Sequence, residues 1–173
     1  APAAVIPMLD AFQKEDEQNQ RLILDIFNEI ESTNFMMSLV ITLEEAPAEM
    51  HPLILQLLEK MCNSPLKRDM LIKNIENAGT TTIYWIVQVI SKFDEEQVAD
   101  ALIKLLEHPE AYVYSVAAMV RYLTSSNFII RDKITAALTA AGLKVIKPLI
   151  ESLNKDDEMI KMNAINIIES MGD

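Results

Sequence analysis

The side chains best suited to acid–base, metal or nucleophilic chemistry near neutral pH are His51, His108 and Cys62. The two histidines stand 57 residues apart, and each is followed by a proline, Pro52 and Pro109. Neither belongs to the short ligand spacings that build a zinc site. Cys62 is the single cysteine, so no internal disulfide can form, and no histidine lies beside it in sequence. It follows Met61 at the end of an apolar stripe, the setting of an ordinary semi-buried thiol rather than a reactive one. No glycine-rich phosphate loop is present. We therefore expect no catalytic residue, no metal, no cofactor and no enzyme.

A second kind of chemistry is recognition. Tyr84, Trp85, Gln88, Tyr114, Arg121 and Tyr122 combine aromatic rings with a guanidinium and an amide. That composition is favoured where protein interfaces concentrate their binding energy. Whether these residues share one surface depends on the elements that carry them.

Those elements are clearest at Leu143–Asp173. Val145, Ile146, Leu149, Ile150 and Leu153 follow the spacing of a helix buried on one side, and Ile160, Ala164, Ile167, Ile168 and Met171 repeat it. Between them a charged turn offers Asp156 or Asp157 as an N-cap, and Gly172 suits a helix C-terminus. Two such helices cannot bury both stripes alone, so the pair requires neighbours.

The chain supplies them at a period of 30–31 residues. Residues 3–32 overlay the last pair, Pro7 falling on Pro148. A proline at that position predicts a bend in the first helix, or a start later than the periodicity implies. The stripe of the second helix runs through Ile23, Ile26, Phe27 and Ile30. Further repeats span about 33–63, 64–94 and 95–125. Residues 126–142 hold one helix only, in which Ala136, Ala137, Ala140 and Ala141 predict close helix contact. Either a repeat is truncated there or three consecutive helices pack as a triplet. The expected count is about eleven helices, five pairs plus one half-repeat, in a single all-α domain spanning 1–173.

Charge limits the partners. The net charge is −11, with 11 acids against 3 bases in residues 1–60, 9 against 10 in 61–150, and 6 against 2 in 151–173. A nucleic-acid binder gathers bases into a stripe that displaces counterions from phosphates, and no such stripe exists here. The acidic ends give solubility or attract a basic partner. No apolar run reaches the roughly 18 residues that cross a bilayer. With a lone cysteine, the expected compartment is the cytoplasm.

The period, the paired helices, the proline of the first helix and the Asp-rich turn resemble HEAT repeats. The resemblance is closest to the short bacterial and archaeal, phycobilisome-lyase-like kind. VIKPLIESL, the charged turn and the ending MGD carry it best. The middle repeats share the spacing but not the Val-Arg that usually starts the second helix; Ile130-Arg131 and Ile160-Lys161 come nearest. The resemblance implies a right-handed α-solenoid and, by itself, no activity. The paired His-Glu dipeptides that hold iron in deoxyhypusine hydroxylase have no counterpart, because proline follows both histidines. The basic concave face of HEAT-like DNA glycosylases is likewise missing.

In HEAT solenoids the second helices line the concave face. On a wheel of about 100° per residue, Arg21 and Asp25 point away from the stripe of their helix. Their equivalents include Tyr84, Tyr114, Asp132 and Met162, and Gln88, Ala136 and Asn166. Trp85, Arg121 and Tyr122 flank them. The expected function is a non-catalytic protein–protein interaction scaffold whose groove takes a peptide or helix of a partner protein. The alternative is a regulatory or accessory subunit of an enzyme, including a lyase-type cofactor chaperone; nucleic-acid binding is a weaker third. The apolar first helix and the full stripe of the last lead us to expect a segment of a longer protein, or ends that self-associate.

Overall fold

The computed structural model describes residues 2–29, 33–153 and 157–171. They are helical with no strand among them. The chain divides into two compact units, Ala1–Ile90 and Ser91–Asp173.

The N-terminal unit runs α1 (Pro2–Lys14), α2 (Glu17–Glu29), α3 (Thr33–Glu45), α4 (His51–Met61), α5 (Pro65–Asn74) and α6 (Thr80–Ile90). Local chemistry marks several starts. The amide of Asn19 donates to the Asp16 carboxylate at 2.9 Å, capping α2. Pro52 and Pro65 occupy the first turns of α4 and α5, where a missing amide proton costs nothing. Helix α3 is the hub, packing against α1, α4, α5 and α6. It can serve four neighbours because Met36, Leu39, Val40, Thr42 and Leu43 make a wide buried face. The Thr42 hydroxyl is satisfied by donating to the Ser38 carbonyl at 2.7 Å. Each large apolar side chain buried in this way contributes about 1.5–3 kcal/mol. Helices α2, α4 and α6 form a second succession, α4 touching both others.

Pro7 lies inside α1, whereas Pro148 lies in the first turn of α10. The two prolines thus realise different alternatives. Pro7 sits within a continuous helix; Pro148 follows a later start, preceded by the 3-10 turn Gly142–Val145. At Pro148 no intrahelical hydrogen bond is lost, since the first four amides of a helix have no partner in it.

The C-terminal unit runs α7 (Glu96–Leu105), α8 (Tyr112–Met119), α9 (Phe128–Ala141), α10 (Ile146–Ser152) and α11 (Glu158–Ser170). A 3-10 turn, Val120–Thr124, prolongs α8. Asn127 caps α9, accepting from the amides of Ile129 and Ile130 at 3.1 and 3.4 Å. Gly142, at φ +63°, ends it in a conformation that a side chain would strain. Asp157 caps α11 at 2.9 and 3.2 Å; Asp156 and Gly172 lie outside the described residues. In the irregular stretch, α9 packs against α7 and against the prolongation of α8. Helix α9 also packs on α11, and α8 on α10.

Three packing expectations are corrected. Ile26 is 60% exposed, because α2 is flanked chiefly by α1 and α4; Phe27 and Ile30 lie outside the side chains described. Ile150 is 51% exposed, the burial of short α10 being carried by Leu149 with Val145 just before it. Ala140 is exposed rather than pressed against a neighbour, and so is Ala136, as its place among the outward positions requires. The buried line of α9 is Ile130, Ile134 and Leu138, and two residues further round the helix is about 200° away.

Candidate functional site

Residues with reactive side chains serve the fold. The Nε2 of His51 lies 3.1 Å from the Ala46 carbonyl, so that nitrogen carries the proton and donates. The Nδ1 of His108 accepts from the amides of Glu110 and Ala111 at 3.2 and 2.9 Å, shaping the turn before α8. Cys62 is fully buried. Its thiol is pushed up to about 12 by burial, against the opposing pull of the Arg68 and Lys67 cations. It stays protonated and non-nucleophilic at neutral pH. Among the described residues no three His, Cys, Asp or Glu side chains come together as a metal site would. Among the described residues no helix is long and apolar enough to cross a membrane.

The periodicity reading missed Lys67 and Arg68, which are buried at the start of α5. The Arg68 guanidinium donates to the Cys62 carbonyl at the end of α4. A cation there satisfies a helix C-terminal carbonyl and faces the negative end of the helix dipole. The basic pair in PLKRD was the only signal, and its position at a helix start gave no hint of burial.

In the N-terminal unit, α6 carries Tyr84, Trp85 and Gln88, all half-buried. The Trp85 ring meets Tyr84 edge-on at 4.8 Å and 67°, and meets His51 of α4 edge-on at 4.9 Å and 71°. Both geometries are those preferred by ring quadrupoles. The three rings therefore hold one another in place while Tyr84 and Trp85 keep part of their surface open.

Compared with protein-family models, with curated proteins and with solved structures, the chain matches none of them.

In the C-terminal unit, Tyr114 is half-buried on α8 and Arg121 is exposed, its guanidinium 3.4 Å from the Ser91 hydroxyl. Tyr122 is a correction. It is only 3% exposed, and its hydroxyl donates to the Phe93 carbonyl at 2.8 Å, with the Ser91 carbonyl at 3.3 Å. Burial and the nearby Asp94 carboxylate push that hydroxyl far above the usual range for a tyrosine. The reason is local geometry. Helix α8 ends at Met119, and the following 3-10 turn advances about 120° per residue instead of about 100°. Over three residues this swings Tyr122 by about 60° into the core.

The same unit holds a cleft of about 300 Å³, lined by both polar and apolar side chains, that the aromatic pattern does not indicate. Helix α9 lines it with Arg131, Asp132 and Thr135, and α11 with Asn163, Asn166 and Ser170. Leu123 and Ile167 add apolar surface. Asp132 and Asn166 were expected on the ladder of outward positions, and here they share a site; Met162, also on that ladder, is 63% exposed. The legible signal was the polar stripe Asn163, Asn166 and Ser170, spaced three and four residues apart on one helix face.

Proposed function

We propose that this chain is a non-catalytic interaction scaffold, a HEAT-like α-solenoid whose half-buried aromatic residues use their open surface to engage a peptide or helix of a partner protein. The carrying observation is the Tyr84–Trp85 edge-to-face pair beside Gln88, part-open to solvent on a helix whose Ile83, Ile86, Val87, Val89 and Ile90 are buried. Preordered rings lose little conformational freedom on binding, which is why such residues dominate interface energetics. Within the C-terminal unit the candidates are Tyr114, half-buried, and Arg121, exposed. Tyr122 is withdrawn from the set because its surface and hydroxyl are used internally. The alternation α1–α3–α5 and α2–α4–α6 supports stacked helix pairs as the building principle. The net charge of −11 argues for a protein partner over nucleic acid.

The test is quantitative capture of a partner by the purified chain and by a Tyr84→Ala/Tyr114→Ala variant. Loss of capture with helicity and Tm nearly unchanged is the expected result. Equal capture by the variant overturns the assignment of these residues.

A further inference from the structure

We propose that the cleft between α9 and α11 is a second recognition site, one that takes a single lysine side chain of an extended peptide. The inference starts from which polar groups of the lining are already committed. The Asn163 Nδ2 donates to the Leu123 carbonyl at 2.8 Å, which leaves its Oδ1 as an acceptor. The Arg131 Nη1 donates to the Ser125 carbonyl at 3.2 Å. Its Nε lies 4.0 Å from the Asp132 carboxylate, a loose pair with both side chains well exposed. Exposed pairs of this kind contribute little and are readily replaced. At the far end, Ser170 and Thr139 sit 3.4 Å apart, hydroxyl to hydroxyl. The Thr135 hydroxyl and the Asn166 amide make no hydrogen bond with the described residues.

What remains includes three acceptor groups, the Asp132 carboxylate and the amide oxygens of Asn163 and Asn166, beside the Arg131 guanidinium that the Ser125 carbonyl holds. An ammonium is the group that suits them, with three donors and no acceptor. In the same lining Leu123 and Ile167 offer apolar surface. A lysine covers such a surface with its aliphatic stem and brings its ammonium to the acceptors. The volume of about 300 Å³ is at the small end for ligand sites and suits one long side chain. Asn163 and Asn166 lie three residues apart on α11, about 4.5 Å along its axis, so both can address one bound group. The free amide protons of Asn166 are then available to a carbonyl of the peptide main chain.

This site deepens the peptide-binding reading, but it shares no residue with the aromatic surfaces. A Tyr84→Ala/Tyr114→Ala variant that no longer captures a partner leaves the cleft intact, so the two readings fail separately.

The experiment is an NMR titration of the full chain with a capped alanine pentapeptide bearing one central lysine, beside the same peptide bearing norleucine. The expected result is movement of the Asn163 and Asn166 side-chain amide signals with the lysine peptide only. Asp132→Asn should weaken that binding about threefold to fivefold. Asn166→Ala should weaken it as well; both residues are exposed, so neither change threatens the fold. Equal shifts with norleucine, no shift of these amides with lysine, or undiminished affinity in Asp132→Asn would each overturn the proposal.

Discussion

The hydroxyl of Tyr122 donates to the backbone carbonyl of Phe93 at 2.8 Å, across 29 residues of sequence. The bond anchors the turn that follows α8 to the segment that precedes α7. Removing it leaves a part-buried carbonyl with one partner fewer. Tyr122→Phe is expected to cost about 1–2 kcal/mol in urea unfolding while leaving partner capture unchanged. Reduced capture with unchanged stability would return Tyr122 to the binding surface.

The buried Cys62 thiol makes stability depend on pH in the alkaline range. Its ordinary value of 9.0 rises to about 12 in the folded chain. The fold binds this proton more tightly than the unfolded chain does, so the contribution is complete below about pH 9 and is lost as pH rises toward about 12. Other groups titrate there too, so the comparison is with Cys62→Ala. The difference in Tm between wild type and variant should shrink steadily above pH 9. A thiol reagent at pH 8 should label the native chain far more slowly than the unfolded one.

The caps of α9 and α11 are independent of any binding role. Asn127→Ala and Asp157→Ala each remove a side-chain acceptor from two otherwise unpaired amides. Each should lower stability by about 1 kcal/mol, with glycine at the same position costing less. Thermal melts of the two variants and of their double check this. If the caps act separately, the two losses should add.

Much of the helical framework is legible without coordinates because its causes are local. The apolar residues of α3, the proline starts of α4 and α5 and the Asp157 cap all depend on neighbours within one or two turns. The outward positions of Arg21, Asp25 and Met162 were readable on the same basis, since one helix wheel decides them. The same reasoning turned Tyr84, Trp85 and Gln88 outward, and the structure holds all three half-buried.

Tertiary structure decided the rest. Equal prolines at equal repeat positions, Pro7 and Pro148, ended in different surroundings because a 3-10 turn shifts the start of α10. A change from 3.6 to 3 residues per turn moved Tyr122 from the surface to the core. Ile26 and Ile150 show that an apolar stripe records a capacity for burial, which only an adjacent helix can fulfil. Burial of Lys67 and Arg68 contradicts their composition, and it follows from where the end of α4 meets α5. The cleft between α9 and α11 exists only because two stretches thirty residues apart in sequence lie side by side. Periodicity specifies which face of a helix is apolar; which neighbour covers that face, and what gap is left, is fixed by the packing of all the helices together.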